Sequence, residues 1–322
     1  MKSQDNNGCF SSLMQIGSSL RAERSNPFHL FFRIASDSVL AMTVLHKILY
    51  LLPFTFYLLP LPGFSQNAPI SLTYEATMLG YGTSSVYDSY LSPLKYTGEN
   101  VGLYYEQMKN TGLMHGNVAV QHIFNADYSW TKNNSGTASY YTGIIEYNYG
   151  LFYRFKPTEK WQFFAGPQIG GLLGFVYNTR NENNPATGKA HVNLSLSGIA
   201  NYQLKIRSLP VHFRDQVSLP FIGAMYSPQY GESYYEISLG DTERLVHPAL
   251  FHNYFSVSNL LMAEIPFDRF TLLLSYRFSF YETRINHLDT QLITNTFSVG
   301  LSHNFFVVTG KQKKDNYRYV FE

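Results

Sequence analysis

Two stretches of this chain alternate in polarity for longer than a soluble strand has any use for. Over 139–156, Tyr141, Gly143, Ile145, Tyr147, Tyr149, Leu151, Tyr153 and Phe155 form one face; Thr142, Glu146, Asn148, Gly150 and Arg154 form the other. Over 190–206 the design returns, with Val192, Leu194, Leu196, Ala200, Tyr202, Leu204 and Ile206 opposite His191, Asn193, Ser195, Ser197, Asn201, Gln203 and Lys205. Period two means that one face of each strand meets an apolar medium. Strands of globular sheets average about 5–6 residues, whereas a tilted strand crossing a bilayer needs about 9–11 and often projects beyond it.

The same theme runs through 70–79, 99–109, 115–130, 161–178, 211–226, 250–265, 269–284 and 291–308. Short turns (110–112, 157–160, 207–210, 266–268) take turns with longer loops (80–98, 131–138, 179–189, 227–249, 285–290). Outer-membrane barrels have short turns at the periplasmic end and longer loops outside. The expected fold class is therefore all-β, a transmembrane antiparallel up-and-down β-barrel of about ten strands, or about twelve if 80–98 hides a hairpin. Both tryptophans, Trp130 and Trp161, fall at strand ends, where aromatic girdles mark the membrane interfaces. Two segments fit less well. The apolar parity of 211–226 points Asp215 at lipid, unless the strand starts near Gln216 or a bulge resets it; 250–265 is apolar on both faces.

Composition agrees. Aromatic residues make up 16% and charged residues only 14%, against roughly 25% charged in soluble domains. Mean hydropathy is −0.16, which excludes a helical membrane protein but suits a wall that is half lipid-facing and half polar. From Gln66 onward there are 19 Lys/Arg and 19 Asp/Glu, so no basic field points to nucleic acid. The sole cysteine, Cys9, precedes the apolar run, which leaves the barrel region neither disulfides nor a thiolate metal site.

Residues 42–65 have signal-peptide anatomy: Met42, basic Lys47, an apolar run at 45–62, and small residues near Gly63-Phe64-Ser65-Gln66. Residues 1–41 read as upstream translation from a misassigned start, with Met42 as initiator. The expected organisation is thus a signal peptide at 42–65, a barrel at 66–308 and a periplasmic tail at 309–322.

The tail of the last strand, Ser298-Val299-Gly300-Leu301-Ser302-His303-Asn304-Phe305, resembles that of outer-membrane barrel proteins of Gram-negative bacteria. Their final strand carries a glycine and spaced aromatics read by the assembly machinery. His303 departs from that pattern, and the chain runs on to Glu322. The loop Ser227-Pro228-Gln229-Tyr230-Gly231-Glu232-Ser233-Tyr234-Tyr235-Glu236 resembles one in an uncharacterised outer-membrane family. These resemblances imply an outer-membrane location, insertion by the barrel-assembly machinery, and contact with outer-membrane lipid and lipopolysaccharide; they imply no activity.

Eight strands leave just enough room for side chains to fill a barrel, and sixteen to eighteen leave a channel. About ten strands predict a largely filled lumen, and Ile144, Phe152, Phe164, Leu172, Ile199 and Leu273 on inward faces argue against a porin-like open pore. Glu75, Asp127, Glu146, Arg154, His191, Arg269 and Arg277 are the candidates for a lumen polar network, joined by Lys205, Arg214 and Glu106, because enclosed charges must pair. In the loop after 226, Tyr230, Glu232, Tyr234, Tyr235, Glu236 and His247 are candidates for binding an outside ligand. No residue spacing marks a catalytic, metal or cofactor site. The expected role is non-catalytic: binding, structure or restricted small-solute transport by a monomer. The alternatives are a barrel-embedded lipase or protease, or a lumen that holds an acyl chain or other amphiphile.

Overall fold

The computed structural model describes residues 70–71, 73–182, 184–206, 209–239, 245–267, 270–305 and 317–318. The stretch 1–41, the signal peptide at 42–65, Arg269 and most of the tail at 309–322 lie outside the described residues. Strands β2 (Thr73–Asp88), β3 (Ser92–Asn110), β4 (Val118–Asn133), β5 (Ser139–Phe155), β6 (Trp161–Asn178), β7 (Ala186–Ile206) and β8 (Leu209–Tyr226) follow in order, each antiparallel to the next. Next come β9 (Val246–Leu250), β10 (Tyr254–Pro266), β11 (Thr271–Ile285) and β12 (Leu288–Phe305). β10 pairs with both β8 and β11, and β12 pairs with β2, so the sheet closes on itself. Its eleven strands make ten staves, because β9 and β10 both lie against β8. Two-residue strands β1 (Ile70–Ser71) and β13 (Tyr317–Arg318) pair in parallel apart from the ring. The expected barrel of ten strands is the one observed.

The turns explain the register. At one end the chain reverses through the 3-10 turn Leu113–Gly116 and the short connections after β5, β7 and β10. At the other end, β11 and β12 meet in a two-residue turn, Asn286-His287, with φ of 54° and 59°. That left-handed pair matches the twist of the flanking strands, and asparagine tolerates it. The expected long loop at 80–98 is instead a continuation of β2 and β3, reversed at Ser89–Leu91. It is a hairpin, as the twelve-strand alternative supposed, but it lengthens two existing staves and adds none.

Outward positions are apolar along the middle of each strand: Leu79 is 69% exposed, Ile145 53%, Ile169 55% and Leu173 65%. So broad an exposed apolar belt would be a severe liability in water and is what hydrocarbon requires. At its borders Trp161 stacks on Phe163 at one end, while at the other Trp130 donates its Nε1–H to Glu99 at 2.7 Å. Asp215 does face outward: β8 begins at Leu209, and the bulge near Pro220–Ile222 comes too late to turn it. Its carboxylate accepts from Asn259 Nδ2 at 2.5 Å on the neighbouring stave, which offsets the exposure.

The described residues 232–239 belong to a separate unit, of which helix α1 (Tyr234–Ser238) is described by itself. It opens on a capping box: Ser233 Oγ accepts from the Glu236 N–H, and Glu236 Oε2 accepts from the Ser233 N–H at 2.7 Å.

If the outward belt meets lipid, Ile169→Arg, at mid-strand, should destabilise the refolded barrel in lipid vesicles by about 2–4 kcal/mol. Urea titration followed by tryptophan fluorescence would measure it, and an unchanged midpoint would mean the belt does not face hydrocarbon.

Candidate functional site in the lumen

Inward side chains fall into three layers. Nearest the start of β2 and the end of β12 is an apolar cluster that includes Tyr74, Met78, Met108, Phe152, Phe164, Ile199, Met262 and Leu273. Nearest the opposite rim is a second, including Val86, Tyr96, Tyr140, Val176, Met225, Tyr254 and Tyr281. Tyr96 and Tyr140 stack there with ring centroids 3.6 Å apart. Polar groups occupy the height between. The alternation that drives the fold thus puts large apolar residues inside as well as outside, as ten staves require if the lumen is to be filled.

Three ion pairs cross the lumen among the described residues, at different heights. Lowest, Arg214 on β8 grips Glu106 on β3 with two nitrogens, at 2.9 and 2.6 Å. A lattice surrounds this pair. Gln121 Nε2 donates to Glu106 Oε1 at 2.6 Å, Tyr104 donates to Oε2 at 2.8 Å, and Gln121 and Gln216 exchange amide hydrogen bonds. Gln168 and Ser218 extend it. Glu264 on β10 accepts from the Tyr74 hydroxyl at 3.0 Å beside the pair. In the middle, Arg277 on β11 pairs with Asp127 on β4, and Asn100 Nδ2 donates to the same carboxylate. Gly102 makes that pairing possible, since a Cβ there would lie 2.7 Å from Asp127 Oδ1. Uppermost, Lys189 meets Asp88 at 2.8 Å and donates to Thr290.

Between the lattice and the upper cluster lies a chamber with about 60 Å³ open to water centres. Glu146, Arg277, Asn125, Asn148, His191, Asn193 and several serines line it. Glu146 accepts from Asn148 Nδ2 at 2.9 Å. The roof is aromatic: the His191 ring lies nearly parallel to Tyr281, centroids 5.5 Å apart, and Tyr254 meets Tyr281 edge-on. A smaller cavity on the far side of Tyr281 is walled by Asp88 and Lys189.

The expected network is thus partly assembled. Asp127, Glu146, His191 and Arg277 converge on the middle of the lumen. Arg154 is inward and buried but sits at the terminal rim, bonded to Gly116 O and Asn117 Oδ1 of the turn below it. Arg269 lies outside the described residues. Glu75 is a correction: it faces outward, where it accepts from the Tyr105 hydroxyl at 2.6 Å and pairs with His303 at 3.1 Å. Alternation makes the polar residue of a pair the inward one, but at this rim the lumen is packed with Tyr74, Ala76 and Met78, so the parity inverts. Glu264 and Asp88 escape sequence reasoning; the first lies in a segment apolar on both faces, the second in a stretch with the polarity of a loop.

The outer-loop candidates are divided between the two units. Tyr230 is exposed, and His247 Nε2 lies 3.0 Å from Asn286 Nδ2. Glu232, Tyr234, Tyr235 and Glu236 fall in the separate unit. The Ser233 N–H and hydroxyl hold the Glu236 carboxyl below its usual range; it serves as a helix cap. Among the described residues no group of three or more His, Cys, Asp or Glu could hold a metal ion.

This is a closed antiparallel membrane-type barrel with an ion-paired, mostly filled interior. The chain belongs to the family described as "Protein of unknown function (DUF3316)", whose model matches residues 63–312. No curated protein matches it. Among solved structures it is similar to the translocator domain of autotransporter NalP from Neisseria meningitidis, at 12% identity and a TM-score of 0.37, covering 76% of this chain and 91% of that one. It is also similar to the outer membrane protease OmpT from Escherichia coli, at 8% identity and a TM-score of 0.35, covering 76% and 98%. A third is Ail, the attachment invasion locus protein of Yersinia pestis, at 10% identity and a TM-score of 0.29, covering 72% and 99%. At this level the likeness is one of barrel form alone.

Truncating Glu106 to alanine removes the bidentate carboxylate partner of the buried Arg214, a loss of about 3–5 kcal/mol. Glu106→Gln retains the hydrogen bonds and should cost less. Unfolding in lipid vesicles would show that ordering; equal, small effects would mean that water reaches the lattice.

Proposed function

We propose that this protein is an outer-membrane barrel that acts without catalysis, as a dead-ended receptor for a small solute. The observation that carries this reading is the asymmetry of the lumen. Its terminal half is packed by Phe152, Phe164, Ile199 and Leu273 and cross-tied by the Glu106–Arg214 lattice. The half nearer the opposite rim keeps a polar chamber beneath a thin aromatic roof. A conducting pore needs a continuous wet path, and the packed layer interrupts it. The reading includes export by the signal peptide at 42–65, insertion by the assembly machinery, and lipid and lipopolysaccharide around the belt. It also includes a monomeric state, since the ten staves pair on both sides around the ring and none of them offers an edge to another chain.

In planar bilayers the purified protein should therefore give no uniform current steps. The double variant Phe152→Ser/Phe164→Ser, which opens the packed layer, should give them or flicker. Steady steps from the unaltered protein would overturn the reading.

A further inference from the structure

The chamber offers two opposite charges with hydrogen-bonding capacity left over. Of the Arg277 nitrogens, Nη2 is engaged by Asp127, and among the described residues Nε and Nη1 have no bonded partner. A guanidinium carries five N–H donors, and this one lines the chamber. Glu146 accepts an amide N–H from Asn148, which leaves most of a carboxylate's four or so acceptor sites unused. Asp127 already answers Arg277, so Glu146 has no cation of its own. Two further atoms in the wall are buried without a partner: Asn125 Oδ1 and His191 Nδ1, on side chains each 6% exposed. Buried polar atoms of this kind are costly unless something meets them.

A lone cation would satisfy Glu146 but leave the spare Arg277 donors unmet, and a lone anion would meet those donors but be repelled by Glu146 and Asp127. A neutral polyol would leave Glu146 without a counter-charge, since Asp127 supplies one only to Arg277. A small molecule carrying both charges satisfies both walls. Room for about four to six waters corresponds to a molecule of about that many heavy atoms, too few for a sugar or an acyl chain. Resting on the dead-ended reading above, we propose that the chamber binds a free amino acid with a short side chain. Its ammonium lies on Glu146 and Asn125 Oδ1, and its carboxylate on Arg277. Entry is from the loop side past Tyr281, which separates the chamber from the smaller cavity at Asp88–Lys189. That cavity also presents one charge of each sign.

Isothermal titration of the purified protein in detergent micelles tests this, with folding verified by the heat-dependent gel shift. The probes are glycine, L-alanine, methylammonium, acetate and glycerol. Glycine and L-alanine should bind saturably, and the three partial analogues at least roughly tenfold more weakly, as expected when a charged hydrogen-bond partner is missing. Glu146→Gln should weaken glycine by a similar factor. Ser258→Leu, which fills the chamber without changing any charge, should abolish binding, so the test does not depend on a variant of the Asp127–Arg277 pair folding. Methylammonium binding as tightly as glycine would make this a cation site and overturn the proposal. Saturable heat from none of the probes would make it a water-filled void and overturn the proposal equally. Current steps from a protein that still binds glycine would instead overturn the dead end and leave the binding site standing.

Discussion

The structure depends first on a solvent constraint. Inside hydrocarbon no water is available to satisfy a backbone N–H or C=O, so a strand survives there only if both its edges are paired. The pairing of β12 with β2 and of β10 with β8 meets that requirement, because it turns a sheet into a ring. Everything on the outer wall follows: the apolar belt, the aromatic ends, and the way in which Asp215 and Asn259, two polar side chains that face outward, hydrogen-bond each other.

Closure creates the second problem, an interior about as wide as a side-chain layer is deep. This barrel solves it differently along its height. Apolar clusters fill both ends, and ion pairs from opposite staves tie the wall across the lumen. Buried pairs are weak evidence for stability, since desolvation opposes the Coulomb attraction. Their consequence here is geometric: Glu106 reaches Arg214 and Asp127 reaches Arg277 only when β3 faces β8 and β4 faces β11. The chamber survives where the polar layer meets the aromatic roof.

Much of this is legible in the chain. Alternation over 139–156 and 190–206 carries strand length, facing and ring size together, and the inward Phe152, Phe164 and Ile199 announce a filled lumen. Four things are not legible, for physical reasons. Parity assumes a polar inside and an apolar outside, and it inverts where the lumen itself turns apolar, at Glu75. It is silent in β10, apolar on both faces, and so hides Glu264. And β2 and β3 run on as a hairpin through a stretch whose composition is that of a loop, and Asp88 is lost there. Convergence of Glu146 and Arg277 on one cavity needs the register, which no local pattern supplies.

The central claim is that the terminal half of the lumen is dry and the chamber above it is wet. Solid-state NMR of the unaltered protein in lipid bilayers, reading magnetisation transfer from water to individual side chains, tests this without disturbing the packing. Strong transfer to Ser256, Ser258 and Glu146 is expected, and little to Phe152, Phe164 and Leu273. Comparable transfer along the whole lumen would contradict the claim and mean a continuous water column through the barrel.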